Sequence, residues 1–143
     1  MVNWKQVAED DLRKYLDLKR AVSGYKDRVA LLDGDMTSLQ AVSFDDMPKG
    51  GEYSADDELV NLIVAKMEIE DAHKRNINRI KLIETGLAAL DEQERMVLDL
   101  FYVHRCHDAA DTVCRNLHVE RSSAYNLRNR ALWRYIAAAY GIV

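Results

Sequence analysis

The chain has 143 residues, 48% of them hydrophobic, which suits one domain or two small ones with a modest core. Its formal net charge of -4 argues against a protein that coats nucleic acid without selectivity. A single proline and six glycines leave long stretches free of helix breakers, so the fold class read from composition is all-α. Charge is not evenly spread. Residues 1–90 carry 13 Lys/Arg against 17 Asp/Glu, while residues 91–143 carry seven of each. Within the latter, the stretch 121–143 holds Arg121, Arg128, Arg130 and Arg134 and no acid.

The first residues, MVNWKQVAEDD, lack the basic and apolar regions of a signal peptide, and no apolar run approaches the ~18 residues of a membrane span. A cytoplasmic location with no membrane partner is therefore expected. Cys106 and Cys114 then read as reduced thiols. Although His104, His107 and His118 lie near them, the spacing matches no zinc pattern, and neither metal nor cofactor is expected.

From Trp4, apolar positions alternate by four and three through Ala8, Asp11, Tyr15, Leu18, Val22, Tyr25, Val29 and Leu32. Asp11 is the only charged member of this seam. The spacing predicts one helix from about residue 3 to Asp33, ending at Gly34, and about 45 Å long at 1.5 Å per residue. A second long helix is predicted from about Ala55–Asp57, where acids suit the positive end of the helix dipole, to about Leu90. Its seam carries a polar middle of Lys66, His73 and Asn76. That middle reads either as a ligand site or, as we take it, as a register-fixing device. Two such helices form an antiparallel, coiled-coil-like hairpin over residues 1–90, and the same seams also allow pairing into a homodimer. Residues 34–57 between them exceed the ~12–15 residues usual for a connection inside a compact domain. Phe44, Met47 and Tyr53 give this linker something to bury, and Pro48, Gly50 and Gly51 set a turn.

Residues 91–143 read as a separate helix-turn-helix domain. Asp91 with Glu94 forms a capping box before a helix ending near Val103. Asp108 caps a short helix, Ala109 to Leu117. After the turn His118–Glu120, a longer helix runs from Arg121 to about Tyr140 and stops at Gly141. Ala124, Leu127 and Ala131 are spaced to pack it on the short helix, and Trp133, Tyr135, Ile136 and Tyr140 are expected to pack inward, with contact to a partner as the less favoured alternative. Two helices joined by a three-residue turn suit DNA binding, although the same pattern serves a packing unit without DNA contact.

The stretches ERMVLDLFYV, 94–103, and ADTVCRNLHVERSSAYNLRNRALWRYI, 110–136, resemble the promoter-reading region four of bacterial sigma factors. Glu94, Arg95, Val97, Leu98, Leu100, Tyr102, Leu117, Val119, Arg121, Arg130, Ala131 and Leu132 match that pattern. Two positions depart from it: His118 replaces the turn glycine, and Glu120 replaces the serine N-cap. The chain as a whole is similar to the ArpU and RinA families of small phage regulators, with the linker MPKGGEYSADD between two long helices. That resemblance implies activation of phage late genes for packaging, structure or lysis.

In a major groove, the first turns of the helix from Arg121 would meet base edges. Ser122, Ser123, Tyr125, Asn126 and Asn129 are the base-reading candidates, and Asn126 suits a bidentate pair with adenine. Arg121, Arg128, Arg130 and Arg134 are the phosphate candidates, each of which also reads as a solvated surface charge. Double-stranded DNA is the expected partner, and host RNA polymerase a further one. The rival readings are a small terminase-like packaging subunit and a sigma-like module that binds polymerase without DNA. No nucleophile, base and orienting residue fall together, so no enzyme is expected.

Overall fold

A computed structural model describes residues 1–42 and 55–143, so the predicted turn at Pro48–Gly51 and most of the MPKGGEYSADD stretch lie outside the described residues. Helix is the only regular structure among the described residues. The helices are α1 (Trp4–Ser23), α2 (Tyr25–Val42), α3 (Ala55–Ala88), α4 (Glu92–Leu98), α5 (Ala109–Leu117) and α6 (Arg121–Tyr140). A π-helical turn, Asp99–Val103, extends α4. None of these helices is long and apolar enough to cross a membrane.

The predicted first helix is interrupted at Gly24 and does not stop at Gly34. Backbone bonding carries on through Gly24, whose N–H donates to the Arg20 carbonyl and whose carbonyl accepts from the Arg28 N–H. The absent side chain leaves room for Arg28 to fold back onto the Ala21 carbonyl at 2.6 Å. Gly34 keeps a negative φ, unlike the left-handed glycine that terminates helices, and α2 continues eight residues past it.

The chain divides into two compact units, residues 20–77 and residues 1–19 with 78–143. In the first, α2 and α3 run in opposite directions, since Tyr25 meets His73 while Asp33 meets Lys66. Two of the three polar residues in the middle of α3 make these contacts. Lys66 Nζ donates to Asp33 Oδ1 at 2.8 Å, and the His73 ring stacks on Tyr25 at 3.6 Å between centroids.

In the second unit, the N-terminal half of α1 and the end of α3 share one core with α4 and α6. Ala8, Leu12, Ile83, Leu90, Leu98, Leu132, Tyr135 and Ile136 are all buried in it. Gly86 of α3 marks a close crossing: a Cβ there would stand 2.5 Å from the Tyr135 ring. Asp11, the charged member of the seam, is buried and accepts from Tyr140 Oη at 2.5 Å and from Arg79 Nη1 at 3.3 Å. The seam thus places its one carboxylate where a phenol and a guanidinium replace its lost water.

Candidate nucleic-acid interface

Helix α4 begins with the predicted capping box. Asp91 Oδ1 accepts from the Glu94 N–H at 2.8 Å, and Glu94 Oε1 accepts from the Asp91 N–H at 3.2 Å. The bond that the Glu94 backbone N–H donates to the ionised Asp91 carboxylate is the leading cause that lowers the Asp91 pKa below its usual value. Glu94 is 1% exposed, and its Oε1 also accepts from Arg134 Nη1 at 2.7 Å. Arg134 is therefore the counter-ion of a buried carboxylate on α4.

A second buried cluster, Val97, Val113 and Ala124, joins α4, α5 and α6. Cys114 and Leu127 pack around it, so Ala124 and Leu127 meet the short helix as their spacing predicts. Ala131 departs from the prediction and lies in the larger core with Leu98 and Tyr102. Ala124, Ala131 and Tyr135 share one face of α6 by their spacing of seven and four, so along that face the first turns meet α5 and the later ones meet the larger core.

The connection from α5 to α6 is tight. His118 ends α5 in the left-handed region, φ 53° and ψ 48°, and its N–H donates to the Cys114 carbonyl. Glu120 is extended and receives the Ala124 N–H on its carbonyl at 3.0 Å, but its side chain makes no capping bond. Asp108 likewise stands at the N-cap of α5 without a side-chain cap, contrary to expectation, because its backbone lies outside the extended region usual for capping. The first N–H groups of α6 thus lack a side-chain acceptor, which leaves that helix end electropositive.

Among the predicted base readers, Ser122, Ser123 and Asn126 are exposed, whereas Tyr125 and Asn129 are half-buried. Ser123, Asn126 and Arg130 share a groove of about 450 Å³ with Gln93, Leu117 and Val119. Gln93 is a contributor that the α6 pattern alone does not reveal. Arg121 is exposed and lies 3.6 Å from Asp111. Arg128 is held differently. Its guanidinium stacks 5.2 Å from the Phe101 ring and 5.0 Å from the Tyr125 ring, and Nη2 donates to Asn129 Oδ1 at 3.2 Å.

Trp133, expected to pack inward, is 52% exposed. It falls one turn beyond Asn129 on the strip that includes Ser122 and Asn126, and that spacing is the signal that could have found it. A cleft of about 720 Å³ shares no residue with this face, and its lining mixes Leu16 and Leu87 with Lys19, Arg95 and Asp99. Among the described residues, no group of three or more His, Cys, Asp or Glu is placed to hold a metal.

The chain belongs to the family described as protein of unknown function DUF1492, whose model matches residues 36–135. No curated protein and no solved structure matches it.

Proposed function

We propose that this chain is a sequence-specific DNA-binding transcription regulator of the ArpU and RinA kind, in which α5, the turn at His118 and α6 act as a sigma-like helix-turn-helix. One observation carries the reading: the exposed strip Ser122, Ser123, Asn126 and Arg130 sits at the start of a helix that follows a three-residue turn. Such a helix end presents short polar side chains to base edges and free backbone N–H groups to phosphate.

The division of labour among the side chains follows from their freedom. Asn126 and the two serines are free to read bases. Arg130 and Arg121 supply phosphate contacts. Arg128, stacked on two rings, holds Tyr125 and Asn129 in place and reaches DNA only at its edge. Arg134 balances Glu94, so its contribution to DNA is the smallest of the four. Activation of phage late genes is the physiological role that the sequence resemblance implies.

Selection of bound fragments from the source genome tests this directly. One enriched site upstream of packaging or lysis genes is the expected result. Uniform recovery of all fragments would remove the sequence-reading role.

Exposed Trp133 between Arg130 and Arg134 favours one second reading, a sigma-like module that docks on RNA polymerase through this strip. Capture of polymerase that Trp133→Ala abolishes, without a shift of any DNA, would support it over the first.

A further inference from the structure

Trp133 is the large apolar side chain that α6 leaves exposed. Its place on the helix is regular: at about 3.6 residues per turn, the indole stands on the face of Ser122 and Asn126, at an angle between those two side chains. Arg130, also exposed, borders the same face. The ring therefore continues the polar strip instead of lying apart from it.

The chemistry at this end of α6 is one-sided. From Arg121 to Tyr140 the helix holds no acidic residue. The indole N–H donates and accepts nothing, and the Arg130 guanidinium likewise only donates. Of the acids that open α4, Glu94 is buried on Arg134, Asp91 accepts the Glu94 N–H, and Glu92 lines the separate cleft with Leu16 and Leu87. A flat apolar ring beside donors fits a surface of acceptors with carbon between them. The sugar-phosphate backbone of DNA is such a surface, since its phosphate oxygens accept and its deoxyribose carbons pack.

Distance along the helix points the same way. Trp133 lies about 10 Å beyond Asn126, at roughly 1.5 Å of rise per residue. The major groove is about 12 Å wide, so with Asn126 over base edges the indole has passed them and stands at the groove wall.

We infer that Trp133 is a DNA-backbone contact, its ring packed on deoxyribose and its Nε1–H donated to a phosphate oxygen at the edge of the groove that Asn126 reads. The inference rests on the DNA-binding reading of α6 and adds to it a contact with neither charge nor base choice. Trp133 sets how tightly the helix holds, and Asn126 sets where.

Titration of the full chain with duplexes of the selected site and of random sequence tests this, by gel shift and by tryptophan emission. Trp133→Ala lowers affinity for both duplexes by roughly tenfold. The slope of affinity against salt is unchanged, because no ion pair is lost. Trp133→Phe keeps the packing and recovers part of the loss, and both variants keep the wild-type helicity by circular dichroism. Trp4 is packed against Tyr140, 5.3 Å between ring centroids, so the emission change on DNA belongs to Trp133 and disappears in Trp133→Phe. Trp133→Ala binding as wild type does, or a loss confined to the selected site, overturns the inference and leaves the reading of α6 standing. So does loss of polymerase capture with DNA binding unchanged. A wild-type chain that shifts neither duplex overturns both.

Discussion

Two glycines in the same type of element should respond in opposite directions to the same substitution. At Gly34 in α2, a new Cβ meets nothing within 4 Å, and the backbone is free of positive φ. Gly34→Ala should stabilise the protein by about 0.5–1 kcal/mol, because alanine loses less backbone entropy in a helix. At Gly86 in α3, the new Cβ would stand 2.5 and 2.6 Å from two carbons of the Tyr135 ring and 2.9 Å from the Ala139 Cβ. Relaxed carbon contacts are about 3.5–4.0 Å, so roughly 1 Å must be found. Tyr135 is fully buried and has little space to retreat. Overpacking costs about 1–3 kcal/mol, against a helix-propensity gain of about 1 kcal/mol. Gly86→Ala should therefore fail to stabilise and should destabilise by up to about 2 kcal/mol. Urea unfolding followed by circular dichroism measures both. Tyr135→Leu should relieve the clash, so the double variant loses less than the sum of the single losses. If Gly86→Ala raised the midpoint as Gly34→Ala does, α3 and α6 would not cross this closely.

The remaining expectations concern charge and DNA. Arg134→Ala strips the counter-ion from buried Glu94 and should cost about 1–3 kcal/mol, less than a fully buried pair because the guanidinium is largely solvated. Glu94→Gln in that background should recover part of the loss in urea unfolding, and a neutral Arg134→Ala would deny the pairing its structural role. Burial, followed by the hydrogen bond to Asp11, raises the Tyr140 pKa well above 10.0, and burial likewise raises that of Tyr135. Stability from these phenols is complete below the unfolded-state value near 10 and is lost as pH rises toward the folded-state value. Unfolding titrations should thus show a decline above about pH 10. Tyr140→Phe should make that decline shallower, and an identical slope would count against the assignment. On DNA, Asn126→Ala should weaken the cognate site by ~1–3 kcal/mol with little effect on random sequence. Arg130→Ala should weaken both and flatten the salt dependence, as gel shifts at several salt concentrations would reveal.

Local signals in the chain were readable wherever their cause is local. The capping box at Asp91, the left-handed His118 and the terminating Gly141 are each decided by a few neighbouring residues. Gly34 misled because glycine ends a helix only where the backbone turns left-handed, and composition does not say where that occurs. Leu12 and Leu16 fall outside the heptad seam of α1 yet belong to the core, since that stretch meets α6 as well as α3. Trp133 looks apolar and inward by type, but it falls on the exposed strip of α6 by spacing. Arg134 resembles its three neighbours in sequence, and only the fold brings Glu94, 40 residues earlier, to within 2.7 Å of it. Spacing gives faces; it does not say which element a face will meet.

The least local feature is the footing of α4 and α6, and it yields a final prediction. Cutting the chain before Asp91 would look like a clean domain boundary by sequence. In the structure, however, Leu98, Leu132, Tyr135 and Ile136 share a core with Ala8, Leu12 and Ile83. Tyr140 loses its acceptor Asp11 in the same cut, and its ring loses Trp4, 5.3 Å away between centroids. Removing the burial of Leu12 and Ile83 alone forfeits roughly 3–6 kcal/mol, comparable with the whole stability of a small domain. A fragment of residues 91–143 should therefore be largely unfolded by circular dichroism and should bind DNA weakly, if at all. Adding a peptide of residues 1–19 would not suffice, because Ile83 and Gly86 of α3 complete the other wall of that core. Cooperative unfolding of the bare fragment at the temperature of the whole chain would refute this, and would mean that the cluster around Val97, Val113 and Ala124 sustains the fold unaided.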